Sequence, residues 1–247
     1  MIDKRTLIND KITFILPFYN EEDFIYQTLE SLALQSHKVD NIILIDNASN
    51  DNSLEEIAKF HTNYPSTNIT QLSETRKGKI NTLNQAMTIL NTEFVCLGDS
   101  DTVYPVNYIS KMMGLFKSAS PDVVAVMALP IFGVPQSIEN KVFLKSRVKA
   151  SKAHPSKCFT GGFGQNFKTQ ALIDAGGFSY EQWPFCLMDH EIMNRVLKLG
   201  RSLYDEDFWC QPSPRREGQR DNVRWTLFER MVYKYSPAFL SDWVFYK

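Results

Sequence analysis

Cysteine is scarce in this chain. Only Cys96, Cys158, Cys186 and Cys210 occur in 247 residues, and no two of them stand in C-x-x-C spacing. That spacing excludes a zinc ribbon and gives no sign of a disulfide framework, so a reducing cytoplasm is the default setting. Neither sign of charge is in excess: 27 lysines and arginines face 28 aspartates and glutamates, a formal net charge of −1. Whole-molecule electrostatics therefore give no case for a nucleic-acid partner, and any anion must be held by local clusters. Long apolar runs are missing too. The longest, Val123 to about Pro135, contains two prolines and is too short to span a bilayer. Met1-Ile2-Asp3-Lys4-Arg5 has no apolar core behind it, so no secretory signal is expected. Repeats, low-complexity tracts and an evident linker are also absent. With 43% hydrophobic and 22% charged residues, the chain is of ordinary globular composition. Its length suits one large α/β domain or two closely fused halves.

What is present alternates between strand and helix. Ile12 to Leu16 reads as a buried strand that turns at Pro17. A helix is expected directly after Asn20 as N-cap, with Glu21, Glu22 and Asp23 in its first turn, where the helix dipole favours acids. Ile25, Leu29, Leu32 and Ala33 mark its apolar face. Asn41 to Ile45 forms a second strand ending at Asp46, followed by a helix from about Asn52 to Phe60 and a weaker strand over 69–72. Ile80, Leu83, Met87 and Leu90 give a further helical face, which leads into the strand Phe94-Val95-Cys96-Leu97. Four such alternations imply a parallel sheet covered by helices on both faces. Ligands of open α/β sheets bind beyond the carboxyl ends of the strands. Pro17 to Glu21, Asp46 and Asp99 to Asp101 all fall at such ends. The second half is less regular, with a strand over Val123 to Leu129, a polar helical stretch over Ser137 to Lys152, a short helix over Ala171 to Ala175 and a helix begun by Asp189.

The most informative run is Leu97-Gly98-Asp99-Ser100-Asp101-Thr102. Burying charge is costly unless it is paired or metal-bound. Two carboxylates closing an apolar strand are therefore either ligands for a hard divalent cation or the side chains of a turn that bond their own backbone. No glycine-rich phosphate loop follows the first strand, where Pro17-Phe18-Tyr19-Asn20 stands instead. This counts against a sugar nucleotidyltransferase. A non-catalytic sugar- or nucleotide-binding domain is the other rival.

Taken in order, the pieces resemble the family 2 glycosyltransferases. They are Pro17-Phe18-Tyr19-Asn20-Glu21-Glu22, Asp46-Asn47-Ala48-Ser49-Asn50-Asp51, Arg76-Lys77-Gly78-Lys79 with Asn84-Gln85-Ala86, Asp99-Ser100-Asp101, Gly161-Gly162, and Asp189-His190-Glu191 with Arg195. The resemblance spans about residues 12 to 205. It implies the GT-A fold: a Rossmann-like, mostly parallel central sheet flanked by helices, with a smaller acceptor-side subregion and a C-terminal helix. It also implies a single domain, with a nucleotide-sugar half over about 10–130, an acceptor and catalytic half over about 131–212, and a basic loop and aromatic helix over about 213–247. The implied activity is inverting transfer of one sugar from a nucleoside-diphosphate sugar, UDP by family prevalence, to an acceptor hydroxyl in glycan or cell-surface polysaccharide synthesis.

The same resemblance implies the roles. Pro17, Tyr19 and Glu21 line the nucleotide site, and Asp46 reads the base or ribose, with Tyr19 offering an aromatic face. Arg76 and Lys79 approach the base or diphosphate as cations. Asp101 ligates Mg2+ or Mn2+ directly, and Asp99 supports the ribose or holds the ion through water. Gly161 and Gly162 let the acceptor sugar approach the backbone. Asp189 is the general base. The family's usual acid before that aspartate is replaced here by Met188. Apart from the resemblance, Arg215 and Arg216, with Arg220, form the one local basic cluster, either a loop suited to closing over a diphosphate or a solvated surface patch.

The processive members' Gln-x-x-Arg-Trp is not matched, because Gln219 and Arg224-Trp225 are spaced too far apart. Trp225, Phe228, Val232 and Tyr235 fit one helical face. That face either packs on the domain or brings the enzyme to a lipid-linked acceptor as a peripheral segment at the inner face of the membrane.

Overall fold

A computed structural model describes residues 6–179, 188–216, 226–235 and 245–246. The first half is β1 (Ile8–Phe18), α1 (Ile25–Ala33), β2 (Asn41–Asp46), α2 (Ser53–Asn63), β3 (Ile69–Ser73), α3 (Lys79–Ile89), β4 (Thr92–Leu97), β5 (Thr102–Val103) and α4 (Tyr108–Ser118). Then come β6 (Val123–Pro130), α5 (Ile138–Ala153), β7 (Gln165–Lys168), α6 (Thr169–Asp174), α7 (Met188–Val196), β8 (Arg201–Pro212) and α8 (Leu227–Tyr235). The strands form one sheet in the order β3-β2-β1-β4-β7-β6-β8-β5. The pairs β1·β2, β1·β4, β2·β3 and β6·β8 are parallel, while β7 runs antiparallel between β4 and β6.

Strand alternation explains the layers. On β1, Ile12, Phe14, Leu16 and Phe18 point into one core with Ile25 and Leu29 of α1, Phe60 of α2 and Met112 of α4. Ile15 points the other way, into a second core with Leu83 of α3, Leu172 of α6 and Ile192 of α7. Successive strand residues face opposite sides, so both faces need helices. Register then sets the edge. Phe18 pairs with Asp46, and Asp46 with Ser73, so β1, β2 and β3 end on one line. Leu97 pairs with Ile15, and the Gly98 amide donates to the Ile15 carbonyl at 2.9 Å. The loops after β1, β2 and β4 therefore leave the sheet together.

One expectation is corrected. The first helix begins at Ile25, not after Asn20, and carries no acid in its first turn. Asn20 adopts φ 54°, and the amides of Glu21 and Glu22 donate instead to Ser53 Oγ at 2.7 Å and Asp51 Oδ2 at 3.0 Å. The acids thus brace one loop against the next. On α8, Phe228 is 66% exposed, whereas Glu229 is buried. Trp225 lies outside the described residues, as does the side chain of Tyr235. No described helix is long and apolar enough to cross a membrane.

Candidate functional site

A cavity of about 420 Å3 opens at this strand edge. Its walls include Pro17, Tyr19, Glu21, Asn47, Lys77, Lys79, Asp99 and Asp101. Each element contributes for a structural reason. The Asn47 amide donates to the Phe18 carbonyl at 2.9 Å, and Asn47 Nδ2 bonds the carbonyls of Glu74 and Arg76, tying the loop after β2 to the loop after β3. Asn47 Oδ1 accepts from the Gly78 amide at 2.9 Å, which places Lys79 at the start of α3. Asp46 is buried, and its Oδ1 accepts from the Ser49 amide at 2.9 Å. It stands at the end of β2 and is not among the residues that line the cavity.

The acidic run is braced from below, because Thr28 Oγ1 on α1 donates to the Ser100 carbonyl at 2.9 Å. Both carboxylates face cations. Asp99 pairs with Lys79 Nζ. Asp101 Oδ2 accepts from Arg215 Nε at 3.0 Å, while Arg215 Nη2 pairs with Glu21. The Arg215 guanidinium also lies over the Phe24 ring, 4.5 Å from its centroid. Glu21 is only 3% exposed. A guanidinium thus bridges two buried carboxylates from the ends of β1 and β4, an arrangement that its planar fork suits. The Ser213 amide donates to the Asp101 carbonyl at 2.8 Å, which docks the segment after β8 onto this edge.

The glycine pair and Asp189 meet the same edge. Asp189 Oδ2 accepts from the Gly162 amide at 2.9 Å, and its Oδ1 from the His190 amide at 3.0 Å. Buried Gln165 donates to the Asp189 carbonyl at 2.9 Å. A Cβ added at Gly162 would lie 3.5 Å from Lys79 Nζ and 3.7 Å from Asp189 Cβ. At Gly161 it would crowd the Phe163 ring at 2.7 Å and Asp189 Oδ2 at 3.3 Å.

Arg76 stands apart from the cavity. Its side chain is 71% exposed and forks onto Glu74, whose carboxyl it pulls down to about 2. Lys77, which the motif contains but which was given no role, lines the cavity instead. Met188 packs on the second core, so the position where an acid was expected serves burial here. Glu191 and Arg195 form a pair four residues apart, bonded at 2.7 Å through Nε and Nη2 of the guanidinium. Arg216 lies in the turn Pro214–Arg216; its side chain, Arg220 and Trp183-Pro184-Phe185 lie outside the described residues. Among the described residues, Cys96, Cys158 and Cys210 are free and buried, and burial pushes all three thiols up.

The model of the glycosyl transferase family 2 matches residues 13–193, from β1 through the start of α7. The chain belongs to that family. The poly-beta-1,6-N-acetyl-D-glucosamine synthase of Staphylococcus aureus strain MSSA476 is 30% identical over 93% of this family 2 chain and 59% of that protein. The synthase of Staphylococcus epidermidis is 29% identical over 73% of the chain and 47% of the relative. The chain thus spans about half to three-fifths of the length of these relatives. Among solved structures, the mannosyltransferase PcManGT of Pyrobaculum calidifontis, in complex with GDP-Man and Mn2+, superposes with a TM-score of 0.70 at 24% identity, over 88% of this chain and 62% of that one. S. aureus TarS 1-349 in complex with UDP gives 0.62 at 20% identity, over 83% and 61%. These likenesses show the shared α/β fold.

Proposed function

We propose that this family 2 chain is an inverting glycosyltransferase that moves one sugar from a nucleoside-diphosphate sugar to an acceptor hydroxyl. A single observation carries the reading: the acidic run after β4 and Asp189 at the head of α7 converge on Gly162, with Lys79 between them. Residues 10–130 are assigned the donor side of one catalytic domain, residues 131–212 the acceptor side, and residues 213–247 a basic loop and aromatic helix.

Tyr19, Glu21 and Lys79 wall the donor cavity. Tyr19 offers a ring face for the base, and Asp46, at the end of β2, is assigned to the base or ribose. Asp99 and Asp101 fit a divalent cation, because each is a hard oxygen donor already facing a positive group, Lys79 or Arg215. No cluster of three or more His, Cys, Asp or Glu suited to a metal occurs among the described residues. Two carboxylates with the remaining ligands from substrate phosphates is the pattern expected for Mg2+ and serves Mn2+ equally. Such an ion would neutralise charge on the leaving diphosphate. Lys79 adds a fixed cation on the same side. Asp189, oriented by the Gly162 amide, takes the proton as the acceptor oxygen attacks the anomeric carbon, while the bond from that carbon to the diphosphate oxygen breaks on the opposite face.

UDP is the proposed nucleotide, and a polysaccharide or lipid-linked glycan the acceptor. The polysaccharide part of this reading is supported by the names of the staphylococcal relatives, and the UDP part by the TarS complex. A peripheral contact at the inner membrane face would be made by Phe228 and Met231 of α8, which are 66% and 54% exposed. Flotation with anionic liposomes should weaken in Phe228→Asp; unchanged flotation would remove that contact.

The enzyme reading is tested by Asp189→Asn. UDP release from UDP-N-acetylglucosamine with Mn2+ should fall by at least about 100-fold, with UDP binding retained. Undiminished turnover would remove the proposed base, and no binding of any nucleotide sugar across a panel would favour a non-catalytic domain.

A further inference from the structure

We propose that Tyr233, on α8, is a positioning residue that holds Asp189 against Gly162. Tyr233 grips both sides of that contact. Its hydroxyl meets His190 Nδ1 at 2.7 Å, one residue beyond Asp189. Its carbonyl accepts from Lys157 Nζ, five residues before Gly162. The loop that presents the glycine and the helix that presents the carboxylate are thus fastened to one residue of a third element.

Its surroundings make the grip directional. The His190 ring stands edge-on to the phenol, 5.8 Å between centroids, and Phe245 backs Tyr233 from another side at 5.5 Å. Tyr246 donates to Glu191 Oε1 at 2.6 Å, so three consecutive residues at the head of α7 are tied: Asp189 to Gly162, His190 to Tyr233 and Glu191 to Tyr246. Burial pushes the Tyr233 hydroxyl well above its ordinary range, so at neutral pH it stays a neutral phenol and its role is to hydrogen-bond. Burying a phenol and an ammonium costs free energy that a phenylalanine and a leucine would avoid. Polar groups at such places fix direction as well as contact.

The inference rests on Asp189 being the base, so the test separates the two ideas. In the full chain, amide hydrogen exchange reads the Gly162 N–H that donates to Asp189. Tyr233→Phe keeps the ring and removes one hydroxyl. Gly162 exchange should quicken about threefold to tenfold, the change expected from one lost hydrogen bond, with amides of β1 and β4 unchanged. Turnover of UDP-N-acetylglucosamine should fall in kcat by a similar factor, with UDP·Mn2+ affinity unaltered. Unchanged Gly162 exchange in Tyr233→Phe would overturn the positioning role, whatever Asp189 does. A purely structural role would be shown by wild-type exchange in Tyr233→Phe and uniform quickening in Tyr233→Ala. If Gly162 responds but Asp189→Asn turns over normally, the base assignment falls and the catalytic part of the inference falls with it.

Discussion

Arg215 holds Asp101 and Glu21 at once, and both carboxylates are buried while its own side chain is 30% exposed. Removing one partner of a buried ion pair leaves charge uncompensated, a destabilisation of several kcal/mol when burial is complete. Partial exposure of the guanidinium reduces that to about 1–3 kcal/mol. The same contact must also open before an ion can use Asp101 Oδ2. Arg215→Ala should therefore melt lower in the absence of metal and bind Mn2+ alone about tenfold more tightly, the equivalent of one charge-assisted hydrogen bond no longer displaced. UDP affinity with Mn2+ present should fall if Arg215 flanks the diphosphate as proposed. Calorimetric titration with Mn2+ and then UDP reads both changes. Equal Mn2+ affinity in variant and wild type would show that Asp101 is not where the ion enters.

At the scale of elements, the site depends on how closely β1 and the end of β4 approach. A Cβ at Gly98 would collide with the Phe14 ring and come within 2.8 Å of Leu16 Cδ1 and of the Tyr104 hydroxyl. That hydroxyl donates to the Phe163 carbonyl at 3.0 Å, one residue beyond Gly162. Gly98→Ala should cost about 1–3 kcal/mol by overpacking and weaken UDP binding, since Asp99 is the next residue. Gly114 is the control: it lies inside α4 and nothing stands within 4 Å of its Cβ position. Gly114→Ala should raise stability by up to about 1 kcal/mol through helix propensity. Thermal melts of the pair decide it, and equal shifts would discard the packing argument.

These elements were largely legible in the sequence. Apolar runs and their polar ends located β1, β2 and β4, and with them Pro17, Asp46 and the acidic pair. The start of α1 was not legible, because Asn20, Glu21 and Glu22 look like a capped helix start but spend their backbone amides on Ser49, Ser53 and Asp51 of the next loop. Arg76 was assigned to the nucleotide site by the resemblance, yet its fork is taken by Glu74, two residues away. Gln165 and Tyr233 gave no signal, since both act on Asp189 or its neighbour across 24 and 43 residues of chain. Local pattern carries no information at that range.

For the whole molecule, near-balanced charge means that pH dependence is set by individual pairs. Glu74 is held at about 2 by hydrogen bonds from Arg76, and Asp122 well below the ordinary carboxylate range by Arg201 and Ser120. Asp122 and Arg201 also join the starts of β6 and β8, whose first paired residues are Val123 and Arg201. A carboxylate whose folded pKa is depressed stabilises the fold above its unfolded value and loses that contribution as pH falls towards the folded one. Glu74 therefore contributes fully above about 4.5 and progressively less down to about 2. Tyr64 works in the opposite sense: its bond to Glu30 raises it to about 12, so its contribution is complete below 10 and fades as pH rises through 12. Both arginines are largely exposed, so the acid limb should shrink at about 1 M salt. Urea midpoints of wild type and the double variant Glu74→Gln, Asp122→Asn should diverge at pH 7 and converge towards pH 2. Acid repulsion common to both proteins cancels in that difference, and parallel curves from pH 7 to pH 2 would show that these two pairs do not set the acid limb.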